Sequence, residues 1–141
     1  MIPVFLASAL GCSGDPVATT PPAASLPTRA GKYTLTWSTT PSPPPFNTLF
    51  SVQTVLSDPT GAPIPGATVT VDASMPQHGH GMPTRPISDP GDCTGTPPVC
   101  VHPGGIYQSE GFKLHMPGEW VFRFDVLGPA GPDTLDVRYV L

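Results

Sequence analysis

Residues 118–127 read GEWVFRFDVL. Trp120, Phe122, Phe124 and Val126 fall on one side of an extended chain, with Val121, Arg123 and Asp125 on the other. Strict alternation of this kind has the period of a β-strand with one buried face, and no helix would gather these four apolar residues into one stripe. The same pattern recurs on both sides. DTLDVRYVL (133–141) directs Leu135, Val137, Tyr139 and Leu141 inward, and ATVTVDAS (67–74) directs Ala67, Val69, Val71 and Ala73 inward. KYTLTWS (32–38) gives Tyr33, Leu35 and Trp37; TLFSVQTVLSD (48–58) gives Phe50, Val52 and Leu56, interrupted by Thr54. IYQSEGFKLHM (106–116) resumes extended structure with Phe112, Leu114 and Met116 on its apolar face. Six or seven short strands with one apolar face each bury that face best as two packed antiparallel sheets. The expected fold is therefore all-β, an Ig-like antiparallel β-sandwich of about seven strands.

Composition agrees with this. The 141 residues include 22 prolines and 15 glycines, which disfavour long helices and punctuate the alternating runs as turns. Only 11 % of residues are charged, the net charge is −4, and there is no cluster of Lys and Arg. A nucleic-acid interface built on a basic patch is excluded on that ground. Contact with a membrane surface is expected only through an anchor.

The first 12 residues, MIPVFLASALGC, carry an apolar run from Ile2 to Leu10 and then Cys12. They resemble the end of a bacterial lipoprotein signal, in which Cys12 takes the lipid, although no Lys or Arg precedes the run and Ala9 stands where leucine is usual. An ordinary cleaved signal peptide is the alternative. Residues 13–30 are rich in Pro, Ala, Ser and Thr without periodicity and read as a flexible tether, so that the folded domain spans residues 31–141. The expected location is exported, periplasmic or at the cell surface, with a lipid anchor in a bacterial membrane. With Cys12 set aside, Cys93 and Cys100 remain as an even pair, which suggests a disulfide and an oxidising compartment. Closing the segment CTGTPPVC contributes about 2.5 kcal/mol on a chain-entropy basis. Six residues between the two cysteines do not match a zinc ligand pair.

The chemistry concentrates between residues 75 and 116. That interval holds all four histidines, His78, His80, His102 and His115, and every methionine except the first. Its centre is MPQHGHGM, Met75–Met82. Imidazole and thioether donors together suit copper, and thioether favours Cu(I). In an extended segment His78 and His80 share a face, Gly79 and Gly81 remove crowding, and Met82 joins the same side. The same residues equally describe a tight metal-free loop, because glycine and proline are what such a loop requires. Met75 continues the inward phase of Val69, Val71 and Ala73 and reads as core. Met116 also reads as core, whereas His115 shares the opposite face with Lys113 and reaches a metal only if that face meets the 75–82 loop or a bulge re-aims it. His102 follows Cys100 and reads as a surface histidine. No nucleophile, phosphate-binding or H-E-x-x-H motif occurs, and Glu110 and Glu119, the only glutamates, are not paired, so the chain is not expected to be an enzyme.

VDASMPQHGHGMPTRP (71–86) followed by GGIYQSEGFKLHMPGEWVFRFDV (104–126) resembles the YtkA-like domain family, small exported or lipid-anchored Ig-like domains distantly similar to CopC-like copper proteins. The resemblance spans about Lys32 to Leu141 and rests on MP-x-HGHGM, a tyrosine and MPG-x-W in order. It implies a role in copper handling or respiratory-oxidase maturation, with a protein partner there. His78, His80 and Met82 match its motif directly, and His115 and Met116 lie in the matching HMPGEW. DCTGTPPVCVHPG is an insertion relative to the family, which leaves His102 and the cysteine pair outside what the resemblance supports. The reading that results is a monomeric copper carrier or buffer with His78, His80, Met82 and His115 as candidate ligands. The competing one is a metal-free interaction module in which MPQHGHGM braces the fold or meets a protein. A weaker third is a tethered accessory domain for polysaccharide or protein, which would need exposed aromatics on one face.

Overall fold

A computed structural model describes residues 25–141. The proposed signal and Cys12, and the tether up to residue 24, lie outside the described residues. The chain forms β1 (Leu26–Pro27), β2 (Thr34–Thr40), β3 (Phe50–Ser57), β4 (Thr68–Met75), β5 (His80–Gly81), β6 (Ile87–Ser88), β7 (Asp92–Thr94), β8 (Val99–Val101), β9 (Ile106–Phe112), β10 (Glu119–Gly128) and β11 (Gly131–Val140). One sheet runs in the order β1-β2-β3-β9-β6, the second in the order β11-β10-β4-β5, and β7 and β8 form a separate hairpin. All pairings between named strands are antiparallel. The fold is an all-β, Ig-like sandwich. The six long strands are those the alternation marks. The remainder are two- and three-residue pieces, too short for a periodicity to register, which appear in the segments read as turn, tether or irregular loop.

The two inner faces meet in one core. Val69, Val71, Ala73 and Met75 of β4 and Trp120, Phe122, Phe124 and Val126 of β10 pack against Leu35, Phe50, Val52, Leu56, Tyr107 and Phe112 from the other sheet. Phe122 is the hub. Its ring lies 4.9 Å from Trp37 and 6.1 Å from Phe112, so aromatic contacts bridge the sheets. The inward position of Thr54, anomalous in the sequence, is real: it is 1 % exposed, and its hydroxyl finds no partner among the described residues.

The folded unit begins ahead of Gly31. Leu26 and Pro27 pair with Leu35 and Thr34, and the Asp133 carboxylate accepts hydrogen bonds from Thr28 Oγ1 (2.6 Å) and the backbone N–H groups of Ala30 and Lys32. Residues 26–30 are therefore part of the sandwich, held by backbone groups that composition does not disclose. A second latch closes the β10–β11 hairpin. The buried Tyr33 hydroxyl donates to the Gly131 carbonyl (2.7 Å) and accepts from Ala130 N–H (3.0 Å). A Cβ at Gly128 would stand 2.8 Å from that hydroxyl, which is why the position carries none.

Candidate functional site

MPQHGHGM is the end of a strand and a hairpin. Met75 closes β4 with its side chain in the core, 1 % exposed. Pro76–His78 form a single 3-10 turn, begun by the fixed φ of proline. Gly79 then adopts the left-handed conformation at φ 68, which glycine reaches without the Cβ penalty, and β5 returns with His80 opposite Met75 and Gly81 opposite Ser74. Gln77 donates a long hydrogen bond of 3.5 Å to Glu119 at the start of β10, which ties the turn to the adjacent strand.

Directly opposed residues in antiparallel strands project to one face. His80 therefore shares the inward side of Met75, at the open edge of the sheet. Across that edge comes the segment after β9. Gly111 at φ 87 and a register shift between Phe50 and Val52 reset the phase of that chain, so Tyr107 and Ser109 face inward, then Phe112 and Leu114. Lys113 and His115 are left facing the hairpin. The Lys113 N–H donates to the Met82 sulfur at 3.4 Å, and the His80 and His115 rings stand 5.5 Å apart. His78 and His80 are 5.9 Å apart. The condition set by the sequence for His115, that its face meet the 75–82 loop, is satisfied by the fold.

A metal–imidazole bond of about 2 Å places a ring centroid about 3.2 Å from the ion, so two rings that share an ion stand at most about 6.4 Å apart. Both neighbouring histidine pairs fall inside that limit. Their environments differ. His78 and His80 are exposed, and among the described residues His80 makes one hydrogen bond, from Nδ1 to the Gly81 carbonyl at 3.2 Å, with none at Nε2. His115 is half-buried, with its ring edge-on to the fully buried Trp120 at 5.7 Å. Its Nδ1 is buried and has no hydrogen-bond partner among the described residues. Trp120, read from the sequence only as core, is thus also the wall that sets the His115 ring; its indole N–H donates to the Met116 carbonyl at 3.0 Å. Met116 packs against the core, as its phase indicates. Among the described residues no three His, Cys, Asp or Glu side chains are grouped to hold one ion. The structure brings the predicted donors into one row in the order His78, His80, His115, with Met82 turned beneath toward the core rather than converging on a single point.

The other cluster departs from expectation in one respect. Cys93 and Cys100 are register partners in the β7–β8 hairpin and are joined as a disulfide. His102 is not a surface residue. It is 8 % exposed, its ring lies 4.0 Å from that of Tyr107 at a tilt of 31°, and its Nε2 is 3.1 Å from the Asp89 carbonyl. The backbone explains this: His102 N–H donates to the Pro65 carbonyl at 2.8 Å, which holds the residue against the body of the domain, and no periodicity announces a bond of that kind.

No family model matches the chain, and no curated protein matches it. Among solved structures it is similar to the crystal structure of a DUF4426 family protein from Pseudomonas aeruginosa PAO1, at 18 % identity and a TM-score of 0.51 over 79 % of this chain and 91 % of that one. At that identity the likeness is one of fold: both chains share a β-rich architecture.

Proposed function

We propose that this chain is an exported metal-binding domain, a periplasmic or cell-surface copper carrier or buffer tethered through Cys12, whose ion sits at the open edge of the sandwich. The observation that carries the reading is the His80–His115 pair. Two imidazoles, one on β5 and one in the connection between β9 and β10, stand within the span of one ion, and His115 keeps a buried nitrogen without a partner among the described residues. The ligands are His80 and His115, with exposed His78 next to them and the Met82 thioether behind. Few donors, all imidazole or thioether, match the low coordination and soft ligands of Cu(I) better than the four-coordinate sites of zinc. The resemblance of MP-x-HGHGM and HMPGEW to YtkA-like domains supports the same choice, and with it a protein partner in copper handling or oxidase maturation. The test is titration of the full chain with Cu(I) and Cu(II) against a competing chelator, alongside His78→Ala/His80→Ala and His115→Gln. Stoichiometric Cu(I) binding lost in both variants is expected. Wild-type uptake no greater than that of the variants overturns the reading.

A second reading is favoured by one observation: Met75 is core and the Met82 sulfur already receives the Lys113 N–H, so two residues of the motif have packing roles. In that reading the hairpin is a metal-free surface for a protein partner. Unchanged apo stability of the histidine variants together with no copper uptake by the wild type is its signature.

A further inference from the structure

Among the described residues the second sheet ends in a free edge. β11 is its outermost strand and runs for ten residues, Gly131–Val140. Three hydrogen bonds reveal which way its backbone faces. Leu141 exchanges both of its bonds with Gly118, so the odd-numbered residues address β10. The Thr134 carbonyl instead receives Arg29 N–H at 2.8 Å from beyond the sheet, so the even-numbered residues point outward. Past Thr134 this edge takes no further backbone partner among the described residues, which leaves the N–H and C=O groups of Asp136, Arg138 and Val140 open. The side chains alternate as well. Asp136 and Arg138 stand on the outer face, whereas Leu135, Val137 and Tyr139 turn toward the core and stay only half-buried, because no described residue covers the rim. Their neighbours on β10, Trp120, Phe122 and Phe124, are fully buried.

We propose that this edge pairs with β11 of a second copy of the chain by antiparallel strand addition, about a two-fold axis through Val137, in place of the monomer expected from the sequence. Backbone parity limits the choice: an outward-facing residue must oppose another, so even-numbered residues meet even-numbered ones. A register centred on Asp136 sets carboxylate against carboxylate, and one centred on Arg138 sets guanidinium against guanidinium. The Val137-centred register sets Asp136 of each copy opposite Arg138 of the other, twice over, as an isologous interface requires. The same register opposes Val137 to itself and Leu135 to Tyr139 on the inner face, covering the apolar rim that the monomer leaves open. Asp136, which already meets Arg123 (2.8 Å) and Arg29 (3.3 Å) of its own chain, then also meets Arg138 of the second copy, whose guanidinium in the single chain sits 3.2 Å from Glu119 and is shared between the two carboxylates. Arg29 at Thr134 limits the pairing to Leu135–Tyr139. Charged residues on an edge usually prevent strand addition. Here their opposite signs, two residues apart, prevent every neighbouring register and favour one.

The test is the oligomeric state of the full 141-residue chain by analytical ultracentrifugation over a wide range of concentration. The wild type is expected to show a monomer–dimer equilibrium that weakens with salt. Arg138→Pro removes an outward N–H without touching the β10 ladder and abolishes the dimer while circular dichroism and the thermal midpoint are retained. Arg138→Glu and Asp136→Arg each weaken self-association by at least about tenfold. Mixed together, those two variants restore it as a heterodimer. A wild type that stays monomeric at every concentration overturns the proposal. So does association that survives Arg138→Pro, as it would if the apolar N-terminal stretch caused it, and so does failure of the two charge variants to pair.

Discussion

The double variant His78→Ala/His80→Ala separates a ligand from a brace. Both side chains are exposed, and among the described residues the pair has one hydrogen bond, a 3.2 Å contact from His80 Nδ1 to the neighbouring carbonyl. Exposed substitutions of this kind change stability by no more than about 0.5 kcal/mol. The metal-free double variant should therefore melt within about 3 °C of wild type. Gly79→Ala is the contrast. The Cβ would have open space around it, so the cost is entirely that of holding an L-residue at φ 68, about 1–2 kcal/mol, or roughly 4–8 °C for a domain of this size. The backbone of the hairpin is thus structural, and its two imidazoles are free for another purpose. Copper supplied at about a hundred times its dissociation constant should add about 2.7 kcal/mol to the wild type and to Gly79→Ala, on the order of 10 °C, and nothing to the histidine variant. Differential scanning calorimetry of the three proteins, with and without metal, gives every value needed. A metal-free histidine variant that loses more than about 1.5 kcal/mol would refute the reasoning, since the imidazoles would then brace the fold.

Gly128→Ala should destabilise by about 2–4 kcal/mol, the sum of overpacking against the buried Tyr33 ring and weakened bonds from its hydroxyl. In a Tyr33→Phe background the same change should cost measurably less, and strict additivity in urea unfolding would show that the latch does not work through Tyr33. Asp133 gives a pH dependence. Burial pushes its carboxyl up, but hydrogen bonds from Thr28, Ala30, Thr134 and Lys32 outweigh that and hold it well below the ordinary carboxylate range. A folded pKa below the unfolded one stabilises at any pH above the unfolded value, near 4, and the gain is lost as pH falls toward the folded value. The melting temperature of Asp133→Asn should therefore lie below wild type at pH 7, with the gap narrowing steadily from about pH 4 downward; a gap independent of pH would show that Asp133 acts without its charge.

Period-two alternation carried much of this fold in the sequence. Trp120, Phe122, Phe124 and Val126 are buried as read, as are Val69, Val71, Ala73 and Met75, because a strand buried on one face writes its orientation into every second residue. The two cysteines were legible by number, and the histidines and methionines by crowding. Other features were decided by contacts between distant segments. A two-residue strand has no period, so composition alone places β1 within the tether and β5 within a loop. His102 is buried by a backbone bond to Pro65, which residue type does not encode. The approach of His115 to His80 depends on the register shift at Gly111 and on packing of the two sheets, and neither follows from the spacing of 35 residues between the histidines. The sequence determined which side chains are donors and which strands have a face to bury. Which donors meet is set by the tertiary fold, because the β5 hairpin and the β9–β10 connection are placed by how the two sheets stack, and stacking is a property of the whole core.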